Sequence, residues 1–288
     1  MNELKKIGGG LQKLPKDKND FSMGAFFKAE VIPTWDFIVG VSEILDQVET
    51  DFCTGFATSA ASSVQEGVTL NPFWSFAKSK ELSGDIEAWG QNLRTACKVH
   101  QKTGAPDYDR EYSLEKRDAA FLRDIKNYPE DFLNKALVHK KQAYFEADFF
   151  KSTYDSIAAA LWKFKDEKRV VITGALWRSH WTFAEGGIIP GFGDKDGFGH
   201  AFVFVGQKYI KDKPYLVAQL SNGEDIGDKG FFYFSKFVVD REFTFGNYIF
   251  ADMPPQWQKS EIIQQSQWYR ASFYGKIWHI TKRFFFLA

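Results

Sequence analysis

The chain has few cysteines and no surplus of charge. Only Cys53 and Cys97 occur among its 288 residues, too few for the disulfide framework of small secreted domains. Basic and acidic side chains both number 37, so the formal net charge is zero. A chain without net charge has no overall field that draws it to nucleic acid or anionic lipid. We therefore expect no nucleic-acid partner.

Long apolar runs are also absent from the sequence. No run approaches the roughly 18 apolar residues of a membrane span, so we expect no transmembrane segment. The stretch from Met1 to Gly10 lacks the apolar core of a secretory signal peptide. Together with the scarcity of cysteine, this favours a reducing compartment, either the cytoplasm or a particle that carries the protein. The sequence leaves the oligomeric state open.

Aromatic residues, by contrast, are abundant. They make up 17% of the chain, with 30 Phe and 9 Trp, more than disordered or linker-rich sequences carry. Most of the length should therefore be folded. A chain of 288 residues can bury a substantial core, in one large domain or in two lobes that share an interface.

The residue pattern divides the chain into four parts. Residues 1–20 are rich in Gly, Lys and Asp without periodicity, which is typical of an extended arm rather than a packed element. Residues 21–142 carry mainly helical patterns, and residues 143–252 carry strand patterns separated by glycine-rich turns. Residues 253–288 form a basic, aromatic tail, which we expect to dock on the protein's own surface or, alternatively, on a membrane or partner. The expected fold class is α+β.

Capping residues mark the helices of the first half. A stretch of small residues starts at Cys53 and should remain helical up to Gly67, a natural C-cap. The pair Asn71-Pro72 indicates the start of the next helix. Residues 83–97 have apolar side chains at helical spacing, which predicts a third helix with Cys97 in its core.

Four polar residues form a set that suits nucleophilic catalysis. At the start of a helix, backbone N–H groups and the positive end of the dipole favour the thiolate of Cys53 over its thiol. Gln47, six residues earlier, can donate N–H groups to an oxygen that becomes negative when the sulfur attacks a carbonyl. His200 begins an apolar strand and Asn222 follows the next one. A base and an orienting amide are thus available in the order Cys, His, Asn.

This order, with a glutamine before the cysteine and a change from α to β before the histidine, resembles the papain-like cysteine peptidases. Phe56, three residues after the cysteine, matches the aromatic residue of the family's helix. Residues 185–189, Glu-Gly-Gly-Ile-Ile, are similar to a stretch that precedes the family's histidine. Residues 227–231, Gly-Asp-Lys-Gly-Phe, are similar to the turn after its asparagine. The resemblance covers roughly residues 40–250.

The sequence also departs from the family. The family's C-G-[SA]-C-[WY] signature keeps only Cys53. Thr50 replaces the structural cysteine, so the disulfide usual in secreted members cannot form, and Thr54 replaces an aromatic ring. A gapless comparison places the family's asparagine two residues before Asn222, on the same face of a strand. Asn222 therefore serves after a small shift of register, and Gln219 is the alternative.

The resemblance implies a papain-like two-lobe fold, with the active-site cleft between the α lobe and an antiparallel β-barrel-like lobe. It implies a thiolate–imidazolium pair of Cys53 and His200, oriented by Asn222, with Gln47 and a backbone N–H as the oxyanion hole. Peptide or protein substrates are then expected, with Gly84 on the wall that pairs with the substrate backbone. This mechanism requires no metal and no cofactor.

Other interpretations stay open. A lone Cys53 is commonly a small buried residue at a helix start, and His180, at a strand end, is an alternative base. The chain could be a papain-like scaffold that has lost turnover and serves as a binding or structural component. The same residues could also perform acyl transfer or deamidation.

Overall fold

The computed structural model describes residues 7–13, 15, 17, 20–191 and 197–251. The prediction for the tail, residues 253–288, lies outside them. The α-helices in this part of the chain are α1 (Met23–Phe26), α2 (Cys53–Glu66), α3 (Pro72–Ser83), α4 (Leu93–Lys102), α5 (Ala119–Arg123), α6 (Phe132–Val138), α7 (Thr153–Lys163) and α8 (Lys236–Glu242). The strands are β1 (Phe37–Ile38), β2 (Ala143–Glu146), β3 (Val171–Arg178), β4 (Gly197–Ile210), β5 (Lys213–Gln219), β6 (Phe231–Ser235) and β7 (Tyr248–Ala251).

Helix α2 is the central helix of the fold and packs against α3, α4 and β4. It starts at Cys53 and ends at a left-handed Gly67, as the sequence predicted. Its small Ala, Ser and Thr side chains allow neighbouring elements to approach closely, and most of its fourteen residues are buried. Phe52, which precedes the helix, caps it with no side-chain hydrogen bond. The first N–H groups of the helix therefore stay available to the sulfur.

The α half is held together by aromatic packing. Phe52 lies 4.7 Å from Phe76 and 5.8 Å from Phe73, measured between ring centroids. Offset and edge-on ring pairs of this kind stabilise beyond the area that they bury. Helix α3 begins where the sequence predicted, since the Asn71 side chain accepts the N–H of Trp74 at 2.9 Å.

The helix predicted over residues 83–97 is shorter than expected. It begins only at Leu93, where the side chain of Asn92 caps the N–H of Thr95 at 2.8 Å. Residues between Gly84 and Asn92 form a turn instead, in which Gly90 has a φ of 72°. That left-handed angle breaks the helix, and Gly90, the buried end of the turn, gains a long-range partner in Asp51. Cys97 is buried in α4, which confirms its core position.

The second half forms one antiparallel sheet of seven strands in the order β2-β7-β3-β4-β5-β6, with β1 added to β4. Strand β4 is the longest, and it pairs with β3 so that His200 lies opposite Ala175. The rings of Phe202, Phe204 and Phe234 pack on its inner face. Among the described residues the edge strands β2 and β6 do not pair with each other, so the sheet is open and "barrel-like" describes it only loosely. The α+β class is confirmed.

The amino-terminal arm was expected to be unpacked, but the part of it from Ile7 to Leu11 packs against the protein. Residues from Ile7 to Leu11 are buried. Backbone hydrogen bonds join this segment to Gly199 at the start of β4 and to Gln91 beside α4. An apolar Ile and Leu on either side of three glycines explain the burial, because each end places one hydrophobic side chain against the protein. The boundaries assigned to the two lobes stay predictions.

Candidate active site

Cys53 lies at the first position of α2 and is fully buried. The backbone N–H groups of Ala201, Thr54 and Cys53 itself face the sulfur and lower the pKa of the thiol. Burial outweighs them and raises that pKa to about 12. At neutral pH the residue is therefore a thiol in this structure. Its contact with Ala201 places it next to the residue that follows His200.

His200 is buried on β4, where its ring lies edge-on to Trp177 at 5.6 Å between centroids. Burial lowers the pKa of the imidazole to about 3, whereas the nearby Asn222 side chain and Gly8 backbone raise it. Both of these groups therefore lie close to the ring. Among the described residues, however, no hydrogen bond of good geometry reaches either ring nitrogen or the Asn222 amide. The ring is therefore neutral and held by packing rather than by a formed hydrogen bond.

Asn222 is brought to the site by a short pairing between two loops. The N–H of Gln47 donates to the carbonyl of Ser221 at 2.8 Å. Asp46 and Asn222 form an isolated antiparallel bridge. This pairing fixes the loop before α2 against the loop after β5. It explains how residues more than 170 positions apart lie side by side.

The side chain of Gln47 is buried and has a defined orientation. Its Oε1 accepts a hydrogen bond from Ser221 Oγ at 2.7 Å. Its Nε2 donates to the carbonyl oxygens of Gly8 at 3.1 Å and Thr50 at 3.0 Å. Since Ser221 holds the oxygen, the amide nitrogen must point toward Gly8. A peptide carbonyl therefore accepts an amide donor beside the imidazole.

The arm runs between Gly199 of β4 on one side and Gln91 on the other. The N–H groups of Gly10 and Leu11 donate to the carbonyl of Gly199 at 2.9 and 3.0 Å. On the other side, Gln91 N–H donates to the Gly10 carbonyl at 2.8 Å, and Gln12 N–H donates to the Gln91 carbonyl at 2.9 Å. The pairing of Leu11 with Gln91 is parallel. A segment of the chain itself thus fills the groove between Gly199 and Gln91, next to the loop that leads into Cys53.

The other residues that the sequence singled out lie elsewhere or are engaged by other partners. Gly84 ends α3 in a left-handed conformation and is exposed, whereas Gly90 and Gln91 adjoin the arm. Gln219 exchanges hydrogen bonds with Ser42 through both ends of its amide. His180 lies in the 3₁₀ turn after β3, with its ring beside Trp181. The roles assigned to these residues stay predictions.

An ion pair that was not predicted from the sequence lies at the loop before the nucleophile. Asp51 is buried two residues before Cys53 and binds Arg123 through both carboxylate oxygens, at 2.7 and 3.0 Å. The same carboxylate accepts the N–H of Gly90 at 2.5 Å. Lys80 donates to the Gly90 carbonyl at 2.8 Å. An acidic residue beside the nucleophile was the only local signal, because its basic partner lies 72 positions away.

The part of the chain that the structure describes has neither a membrane-spanning helix nor a metal cluster. No helix there is long and apolar enough to cross a membrane. No group of three or more His, Cys, Asp or Glu side chains there is arranged to hold a metal ion.

Comparisons with known proteins agree on the architecture. No protein-family model and no curated protein sequence matches the chain. Among solved structures, it is similar to xylellain, a cysteine protease from Xylella fastidiosa, with a TM-score of 0.68 and 16% identity over 88% of this chain and 99% of that one. Procathepsin L 3 of the Tenebrio molitor larval midgut gives 0.64 and 16% over 85% and 76% of the two chains. The bromelain protease of Ananas comosus gives 0.54 and 13% over 77% and 100%. At such identities the likeness concerns the fold, and on that basis the chain is a divergent protein of the papain-like cysteine protease fold, as its sequence motifs led us to expect.

Proposed function

We propose that this chain is a cysteine peptidase that hydrolyses peptide bonds with Cys53 as the nucleophile. His200 serves as base and acid, Asn222 orients the imidazole, and Gln47 stabilises the oxyanion. One observation carries the proposal: the carbonyl of Gly8 accepts the Gln47 amide at 3.1 Å and lies beside the His200 ring. A reacting carbonyl needs both neighbours at once.

The chemistry follows from these positions. The imidazole of His200 takes the proton of Cys53, and the sulfur bonds to the substrate's carbonyl carbon. The carbonyl oxygen becomes negative and accepts hydrogen bonds from Gln47 Nε2 and the Cys53 N–H. The imidazolium then protonates the amide nitrogen, the C–N bond breaks, and the amine leaves. Water, deprotonated by the imidazole, attacks the thioester, and the carboxylate and the thiol are released.

The arm is part of the proposal. While it fills the groove, no substrate carbonyl can reach Gln47, and water is excluded from the sulfur and the ring. This burial keeps both Cys53 and His200 in their neutral forms. Departure of the arm would admit water and lower the cost of forming the thiolate–imidazolium pair. We therefore propose that the described form is a resting state. A reducing compartment stays our proposal for the protein's location, in keeping with the free Cys53 and Cys97.

The test is thiol labelling together with peptide cleavage. An epoxide-type thiol reagent should modify Cys53, and it should do so faster in a variant whose arm is displaced by Leu11→Glu. Cys97 is the internal control, because burial raises its pKa well above the ordinary value and it should stay unmodified. A panel of unfolded peptides should be cleaved by that variant and not by the same variant carrying Cys53→Ala.

A second candidate is a papain-like module without turnover, which binds a partner or serves a structural role. The buried thiol and the filled groove favour it, because a protein that never releases its arm needs no accessible nucleophile. Failure of both labelling and cleavage after arm displacement would select this candidate. Mass spectrometry of the products separates peptide hydrolysis from deamidation or acyl transfer by the same residues.

A further inference from the structure

The groove that holds the arm is lined on one face by the main chain of the Val48–Asp51 loop. This main chain touches the arm so closely that it leaves no room for side chains on that face. A Cβ added to Gly8 would lie 2.2 Å from the carbonyl oxygen of Thr50 and 2.6 Å from that of Val48. A Cβ on Gly10 would lie 2.5 Å from the carbonyl oxygen of Asp51. Real Cβ atoms do not approach other atoms to such distances. This wall is main chain, so it cannot be relieved by rotating a side chain.

The opposite face is closed by an aromatic ring. A Cβ on Gly9 would lie 2.1 Å from the ring of Phe198. Gly8 and Gly10 therefore meet the main chain of the Val48–Asp51 loop, and Gly9 meets the ring. A peptide that runs in either direction through this groove meets one of the two walls at each of these positions.

The groove widens one residue further along the arm. The side chain of Leu11 is buried over Gly174 of β3, where a Cβ would lie only 2.1 Å from the leucine Cδ2. Gly199 of β4 lies against the same residue, since a Cβ there would lie 2.1 Å from the Leu11 carbonyl oxygen and 3.2 Å from the Leu11 Cβ. Two missing side chains in neighbouring strands thus create a small apolar pocket. An aliphatic side chain fits it.

We propose that the groove is selective for glycine and that the substrates are polypeptides with consecutive glycines next to an aliphatic residue. This inference rests on the proposed peptidase activity, because it names the substrates of that same site. The glycines lie at the reacting carbonyl, and the aliphatic side chain enters the pocket over Gly174. Phe198 sets the selectivity at one position, and the Val48–Asp51 main chain sets it at the positions on either side.

The two walls differ in a way that an experiment can use. Phe198→Ala removes the ring and should make room for a Cβ at one position only. No substitution removes the carbonyl oxygens of Val48 and Thr50, so selectivity on that face should persist. Phe183 is a matched control, because it is a largely exposed Phe in the turn after β3. Phe183→Ala should leave the selectivity unchanged.

The experiment measures cleavage of quenched fluorescent peptides with the core Leu-Gly-Gly-Gly-Leu, which reads similarly in both directions. Matched peptides carry Ala in place of each glycine in turn. The enzyme is the full chain with the arm expelled by Gly9→Leu, or by Leu11→Glu if the first variant does not fold. Each Ala should lower kcat/KM on the order of 10- to 100-fold, the usual effect of overpacking a closely fitted site. Adding Phe198→Ala should restore cleavage for one of the three peptides.

A binding assay with the same peptides separates this inference from the activity on which it rests. Dye-labelled peptides are titrated into the arm-expelled chain carrying Cys53→Ala. Tighter binding of the glycine peptide to this variant, with no cleavage of any peptide by the arm-expelled chain that keeps Cys53, would support the groove and contradict the peptidase. Equal cleavage of glycine and alanine peptides would overturn the inference and leave the peptidase intact. Absence of both cleavage and glycine-selective binding would overturn both.

Discussion

Substituting Arg123 by Met should destabilise the protein more than any loss of a surface ion pair. The Asp51 carboxylate is 1% exposed and its partner guanidinium 15% exposed. The pair therefore lies largely out of water, and its two hydrogen bonds have the parallel geometry of a strong Arg–carboxylate contact. Arg123→Met keeps most of the side-chain volume and removes the charge. A buried carboxylate would then remain with the Gly90 N–H as its nearest donor.

The expected size follows from that geometry. Breaking a buried ion pair by removing one partner costs about 3–5 kcal/mol. We expect the lower end, about 3 kcal/mol, because Arg123 is partly exposed and Gly90 still donates to Asp51. For a chain of this size that loss lowers Tm by about 6–12 °C. Asp51→Asn in the Arg123→Met background should recover part of the loss, since the buried carboxylate that lost its partner is then removed.

Urea and thermal unfolding measure the effect. The control is Arg110→Met, because Arg110 pairs with Glu115 at the surface, where both side chains are well exposed. Exposed pairs contribute little to stability. If Arg123→Met were no more destabilised than Arg110→Met, the idea that charge braces the loop before the nucleophile would be refuted. The same variant should also label faster at the thiol, since Gly90 is then held less firmly.

Three further outcomes are expected. Burial holds the pKa values of His100 and His200 at about 3 in the folded state, so unfolding takes up protons below the usual pKa of 6.5. Each ring should therefore cost about 2 kcal/mol of stability at pH 5 relative to neutral pH. The free energy of unfolding of His100→Leu should fall less steeply with acid than that of the unsubstituted chain, and an unchanged pH dependence counts against this. Because the pKa of Cys53 is about 12, alkylation of the intact chain should be slow at pH 8, and its rate should still increase at pH 10. A rate that levels off near pH 8 would contradict the burial of the sulfur. If the peptidase proposal holds, Gln47→Ala should lower kcat by about 10²–10³-fold, with far-ultraviolet circular dichroism to verify folding; full activity would remove Gln47 from the mechanism.

Much of the local structure could be predicted because its causes are local. The start and end of α2 depend on a run of small residues and on Gly67, and α3 depends on Asn71 with Pro72. The strands depend on β-branched and aromatic residues between turns. Each of these signals lies within the element that it forms. They could therefore be read without knowing the tertiary contacts.

The errors concern places where distant residues decide the local conformation. The helix expected over residues 83–97 loses its first half because Gly90 bonds to Asp51, which is 39 positions away. The arm looked unpacked because glycines and charges have no intrinsic drive to fold. Its residues 7–11 are nevertheless buried, because the protein offers a groove whose walls fit glycine. Neither outcome leaves a periodic pattern in the sequence.

The candidate site shows the same division. The residue types, their order and the helix start at Cys53 are properties of the sequence, since a nucleophile, a base and amides can be recognised from their chemistry. Only the tertiary structure determined that Gln47 donates to Gly8 and that His200 lies beside Asn222. It also determined that the Cys53 thiol and the His200 imidazole are buried away from water and neutral. The physical reason is that hydration and long-range hydrogen bonding depend on which surfaces close over a residue. Contacts between segments far apart in the chain control that closure.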